Sequence, residues 1–229
     1  EERERHYLNW ARQGRVDGVV GVFFTLRATD FEPLLVAGVP VVRIESAKKR
    51  GGHLPLDDIF VDSQAAAFAV TRHLIAKGHK AIGMIAGKGG PQSVRIDGYA
   101  LAMREAGLTL NVVIEEAFSE EGGLRAAQQL IGAAERPTAI FAANDLMAIG
   151  VMQAARERGL NIPSDLAVIG FDDISAAKLV TPALTTVAQF QYEMGKRAAQ
   201  ILMDRLNGSR TEPGTASEMP FRLIERDSA

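Results

Sequence analysis

The chain has 229 residues, 47% of them hydrophobic, enough for one large domain or for two lobes of ordinary size with an ample core. Its 26 Lys and Arg stand against 28 Asp and Glu, a net charge of −2, so it lacks the basic excess of a domain that binds nucleic acid on its own. The absence of cysteine excludes a disulfide framework, a Cys-ligated zinc site and a thiol nucleophile, and no apolar stretch reaches the length of a membrane span.

The opening, EERERHYLNWARQGR, is charged and helix-like and carries no signal-peptide pattern. It feeds straight into an apolar run with no strand before it, so the start of the domain is expected upstream. Strand-like runs then appear at VDGVVGVFF (16–24), PVVRIE (40–45), AIGMIAG (81–87), TAIFAA (138–143), LAVIGF (166–171) and LTTVAQF (184–190). Their uniform apolarity predicts strands buried on both faces. Amphipathic helices are predicted between them. SQAAAFAVTRHLIAKG (63–78) can be capped by Ser63 or Asp62 and stopped by Gly78. SVRIDGYALAMREAG (93–107) and DLMAIGVMQAARERG (145–159) also end on glycine. EEAFSEEGG reads as a connecting segment. The last helix, QYEMGKRAAQILMDRLNG, leads into a loop rich in Thr, Pro, Gly and Ser and then a strand-like MPFRLIER. Strands alternating with helices predict an α/β fold with parallel sheets and right-handed crossovers, and the number of units favours two Rossmann-like lobes.

Motifs for catalysis and metal binding are missing. His6, His53, His73 and His79 form no metal spacing, and GKGG (87–90) does not complete a phosphate loop. The GxGxxG and GxSxG turns are absent, and DDIFVD lacks the ligands and glycine of a calcium loop. Asp172 and Asp173 are paired carboxylates with no base, metal or nucleophile motif beside them. No enzymatic activity, metal or cofactor is therefore expected.

In doubly wound sheets, ligands bind outside the carboxyl ends of the strands. Glu45, Asn144, Asp145, Asp172, Asp173 and Gln189 lie at or near such ends. Arg95 is placed in the first turn of a helix, where a cation opposes the positive end and an external role gains weight. Phe118 sits outside any periodic apolar face. Bland readings stand beside these: Asn144 and Asp173 are good N-caps, a single Arg is often a solvated charge and a single Phe often core. Together the residues supply acceptors, a forked donor and a flat apolar face, a set that suits a polyhydroxylated ligand.

The order of VDGVV, GVPVV, HLIAKGHKAIGMIAG, RIDGYALAMREAGL, PTAIFAANDLMAIGVMQAARERGLNIPSDLAVIGFDDI, PALTTVAQ and EMPFRLIERDS resembles the effector-binding core of the LacI/GalR transcriptional regulators. The resemblance implies a periplasmic binding protein-like fold of type I, with a ligand cleft between two lobes. Its crossings would fall near Asp62, Gln189 and Pro220, giving an N-terminal lobe of 1–61 plus 189–219 and a C-terminal lobe of 62–188 plus 220–229. Carried over residue by residue, the effector contacts would be Glu45 (where Asp is commoner), Arg95, Phe118, Asn144, Asp172 and Gln189. Phe118 would be the aromatic that stacks on a sugar. The helix-turn-helix and hinge, and the first strand–helix–strand of the core, lie outside these residues. VVRIESAKKRGGH also departs from the short acidic segment usual there. The resemblance thus implies a cytoplasmic, homodimeric regulator core, not membrane-bound, that senses a sugar or sugar derivative. It would touch operator DNA only through the N-terminal domain that is absent here. A periplasmic sugar-binding receptor of a transporter is the alternative.

Overall fold

The computed structural model describes residues 2–23, 25–45, 55–88, 91–115 and 117–229. SAKKRGGH and the last two residues of GKGG lie outside them. The elements begin α1 (Glu2–Trp10), β1 (Val19–Val22), α2 (Glu32–Val36), β2 (Val41–Glu45), β3 (Leu56–Val61), α3 (Ser63–Ala76), β4 (Ile82–Gly87), α4 (Pro91–Glu105) and β5 (Val112–Glu115). They continue α5 (Glu120–Ile131), β6 (Ala139–Ala142), α6 (Asp145–Glu157), β7 (Ala167–Ile169), β8 (Thr186–Ala188), α7 (Gln191–Leu206), β9 (Ala216–Met219) and β10 (Arg222–Ile224). The chain divides into two compact units, Glu1–Asp62 with Phe190–Pro220, and Ser63–Gln189 with Phe221–Ala229. Each carries a parallel sheet.

In the first unit the sheet runs β1-β2-β3-β9, all parallel. β1 is not buried on both faces as its composition predicts. It lies at the sheet edge, where Val20 and Val22 are 41% and 47% exposed. β3 and β9 were not anticipated as strands. The sequence LDDIFV hides β3 because two adjacent carboxylates interrupt it, and both are buried. Strand alternation sends them to opposite faces, and each meets arginine. Asp58 accepts from Arg43 Nε at 2.8 Å and from Nη2 at 3.0 Å. Asp57 accepts from Arg205 Nε at 2.8 Å, Arg210 Nη2 at 3.0 Å and Thr215 N at 3.0 Å. These bonds hold the Asp57 carboxyl below its usual range against the opposing effect of burial. They also tie the polar loop after α7 to the sheet and deliver β9 as its fourth strand.

The second unit's main sheet runs β5-β4-β6-β7, again parallel. Its central strands are apolar at every position because helices cover both faces. Ile82, Met84, Ala86, Phe141 and Ile169 pack with residues of α3 and α4. Their neighbours Ile85, Ile140, Ala142 and Val168 pack with residues of α5 and α6. β8 and β10 pair antiparallel, and single parallel bridges at Ile169–Thr185 and Asp172–Ala188 link β8 to the end of β7. MPFRLIER is therefore not one strand: Pro220 separates β9 from β10, which lie in different units.

Half of the segment read as a connection, EEAFSEEGG, is the start of α5. Ser119 caps it, its Oγ accepting from Gly122 N. The Gly-Gly pair that disguised this helix has a packing cause. A Cβ on Gly123 would fall 2.2 Å from Met147 O, and one on Gly150 would fall 2.1 Å from Glu120 O. The backbones of α5 and α6 touch there. Gly123→Ala is expected to cost ~1–3 kcal/mol, since overpacking against backbone has no flexible end to yield. A lowered urea midpoint with an unchanged slope would register it, whereas a wild-type midpoint would rule out this close approach.

Candidate functional site

Three strand ends of the second unit, after β6, β7 and β8, bring Asn144, Asp172 and Gln189 to one edge of the sheet system. Arg95 reaches the same place from α4. It is the fifth residue of that helix, which starts at Pro91, so it belongs to the second turn and not the first. Its guanidinium is nearly fully buried, 3.7 Å from the centroid of the Phe171 ring. Nη1 donates to Ala143 O, and Nη2 stands 3.7 Å from Asp172 Oδ1. Nε is buried without a partner among the described residues. Asp172 Oδ1 also accepts from Gln189 Nε2 at 2.6 Å.

Asn144 caps α6, its Oδ1 accepting from Met147 N at 2.7 Å. That commits one end of the amide. The other, Nδ2, makes a long contact of 3.5 Å to Phe118 O. The Phe118 ring is 37% exposed and lies against Gly87, where an added Cβ would be 2.2 Å from Phe118 Cε1. Absence of a side chain at the end of β4 is thus what lets the aromatic approach the strand end so closely.

Two adjacent carboxylates have structural work instead. Asp145 is fully buried: Oδ1 accepts from Thr186 Oγ1 at 2.5 Å and Oδ2 from Ile174 N at 2.8 Å. Asp173 does not act as a helix cap. The short turn at Ser175–Lys178 is preceded by Ile174, and Asp173 pairs with Arg226 Nη2 at 2.5 Å. A cap needs extended backbone at the residue before the helix, and Asp173 adopts φ +52.

Burial pulls the Arg95 guanidinium below its usual range, opposed by the Asp172 and Asp145 charges. Burial likewise pushes the Asp172 carboxyl up, opposed by Arg95 and the Gln189 hydrogen bond. Asp145 is pushed up to about 7, by burial first and then by Asp172 and Asp173, against the bonds from Thr186 and Ile174. No cluster suited to a metal ion occurs among the described residues. The arrangement offers donors, acceptors and an apolar plate.

Five of the six predicted site residues are therefore gathered in the second unit. The sixth, Glu45, ends β2 in the first unit, and its side chain lies outside the described residues. Sequence reasoning missed Gln92 and Phe171. Gln92 is buried, and its Oε1 accepts from Gly87 N at the end of β4. Its signal was a polar residue in the first turn after a glycine-rich loop. Phe171 looked like core, and only the fold reveals that its face carries Arg95. A separate cavity of about 280 Å³ lies in the first unit beside Arg5, Asn9, Arg12 and Asp30 and holds none of the predicted residues.

Comparison with known proteins places the chain in a family. The family described as periplasmic binding protein-like domain matches residues 71–229. An HTH-type transcriptional repressor PurR from Escherichia fergusonii is 35% identical over 99% of this chain and 67% of its own length. A LacI family transcriptional regulator from Enterococcus faecium, solved with bound ribose, superposes with a TM-score of 0.86 at 28% identity, over 97% of this chain and 83% of that one. The transcriptional regulator CelR in complex with cellobiose gives a TM-score of 0.84 at 30% identity, over 100% of this chain and 69% of that one. The likeness to repressors displaces the transporter-receptor alternative. The chain belongs to the periplasmic binding protein-like family and, within it, to the LacI family of transcriptional regulators, as their effector-binding core.

Proposed function

We propose that the cluster of Arg95, Phe118, Asn144, Asp172 and Gln189 binds the effector, an uncharged sugar or sugar derivative, and that Glu45 contributes by resemblance alone. The observation that carries this reading is the Arg95–Asp172–Gln189 constellation at the strand ends, flanked by the exposed Phe118 ring. Its charges are already balanced, one guanidinium against one carboxylate, so an anionic ligand would have to displace Asp172. A ligand of hydroxyl groups only has to add donors and acceptors beside the existing ones, with its apolar face on Phe118. Ribose and cellobiose in the two structural relatives support the same chemistry. Effector binding is coupled to DNA binding by an N-terminal helix-turn-helix, as the name of the curated relative suggests. Such coupling is worth ~1–3 kcal/mol, or ~5–150-fold in affinity. The described residues hold no helix long and apolar enough to cross a membrane, and a regulator of transcription works in the cytoplasm. The one carboxylate of the cluster, Asp172, is held by Gln189 beside Arg95, which supports a binding role.

A thermal-shift screen against neutral sugars and their phosphates tests the reading. A ligand at ~100 times its dissociation constant raises stability by ~2.7 kcal/mol. The expected outcome is a shift with a neutral sugar; a shift with phosphorylated ligands alone would overturn the proposed class. The core is further proposed to act as a homodimer. Leu179 and Leu146 are 81% and 39% exposed on the second unit, apolar surface that a partner copy can cover. Leu179→Glu is expected to halve the mass seen by sedimentation equilibrium, and an unchanged dimer would move the interface elsewhere.

A further inference from the structure

Asp172 reaches its place through an unfavourable backbone. It has φ +117 and Asp173 has φ +52, a region that L-residues with side chains rarely adopt. Consecutive residues in it persist only where their surroundings over-determine the conformation. Here the turn is held from three directions. From α6, Asp145 donates its main-chain N–H to Phe171 O at 2.8 Å, and its carboxylate receives Ile174 N at 2.8 Å. From β8, Val187 O receives Asp172 N at 2.9 Å. Thr186 Oγ1 donates to Asp145 at 2.5 Å and stands 3.4 Å from Asp173 N, bridging the two sides. From the segment after β10, Arg226 Nη2 meets Asp173 Oδ1 at 2.5 Å. Arg226 is itself fixed, since Nη1 donates to Leu184 O at 2.7 Å and its main-chain N to Thr185 Oγ1 at 2.9 Å.

No hydrogen bond joins Asp145 or Arg226 to Arg95 or Gln189 among the contacts described. Their bonds reach residues on both sides of Asp172: Asp145 holds Phe171 and Ile174, and Arg226 holds Asp173. We infer that Asp145 and Arg226 are positioning residues, gripping the Gly170–Ile174 turn from two separate elements so that the Asp172 carboxylate faces Arg95 and Gln189. A close fit supports this: Gly170 has no room for a side chain, because a Cβ there would fall 2.2 Å from Asp145 Oδ1. The significance for effector binding rests on the site reading above, but the geometry can be tested without any ligand.

The test follows the side-chain amide of Gln189 by NMR in the isotopically labelled chain. In the wild type its N–H is protected by Asp172. Arg226→Gln and Asp145→Asn should each speed its exchange by about tenfold or more, a local opening that leaves the amides of β4 and β6 protected. Arg226→Lys should restore part of the protection. If Arg226→Gln does not fold, Asp173→Asn removes the same ion pair with an isosteric side chain at a position 20% exposed. Unchanged Gln189 exchange in folded variants that have lost the pair would overturn the inference, as would a uniform loss of protection across the sheet. Failure here leaves sugar binding by calorimetry intact, while failure of the sugar screen leaves this result standing, so the two readings fall separately.

Discussion

Arg95→Ala is expected to weaken effector binding ~10- to 150-fold, equivalent to ~1.5–3 kcal/mol for a lost charged hydrogen bond. It should also lower stability. Breaking a buried ion pair costs ~3–5 kcal/mol because the surviving charge is left uncompensated. That range is an upper bound here, since the Asp172 side chain keeps 27% exposure and water can reach it. The truncation also strips the plate from Phe171, which lies 3.7 Å from the guanidinium. Arg95→Met separates the two effects. It keeps a long apolar stem over Phe171 while removing the donors, so it should lose affinity as Ala does but recover part of the stability. Calorimetry with the sugar that shifts the melt, alongside urea unfolding, reads both. An Ala variant that binds as tightly as wild type would falsify the site assignment.

How much of this was legible in advance depended on what each residue answers to. Strands covered on both faces announce themselves as apolar runs, so β2, β4, β6, β7 and β8 were visible. β3 was not, because its stability against two buried carboxylates comes from Arg43, Arg205 and Arg210, all distant in the chain. β9 was hidden in a polar loop for the same reason, since Arg210 and Thr215 gain their partner only when β3 is in place. A helix opening on Gly-Gly was masked by the propensity cost of glycine, which tertiary contact with α6 overrides. Strand ends are where ligands bind in such sheets, which is why Asn144, Asp172 and Gln189 stood out, although Asn144 also caps α6. Arg226 did not, because nothing in LIER hints that its partner is the residue after Asp172. The sequence separated Asp172 from Asp173 but read the second as a helix cap, whereas the turn pairs it with Arg226 and turns Asp172 to Gln189.

The carboxyl of Asp145 makes the other large prediction, a dependence of folding stability on pH. Its pKa is about 7 in the folded chain against an ordinary 3.8, with burial as the main cause. The sign follows from proton counting. Below the ordinary value both states hold the proton. Between ~4 and ~7 the unfolded chain has released it and the folded chain retains it, so the unfolded state binds fewer protons and stability falls as pH rises. The slope approaches ~1.4 kcal/mol per pH unit, and above ~7 it vanishes because both states are ionised. Asp145→Asn cannot titrate, so the difference in unfolding free energy between wild type and variant isolates this group from every carboxylate not coupled to it. That difference should shift in favour of Asn by ~1.4 kcal/mol per unit through the window and level off beyond it. Asp172 and Asp173 raise the Asp145 value, and they in turn feel Arg95 and Arg226. Asp172→Asn should therefore move the upper end of the window down. Parallel stability curves for wild type and Asp145→Asn from pH 4 to 8 would show instead that the buried carboxyl is ionised throughout, its charge carried by Thr186, Ile174 and the field of Arg95.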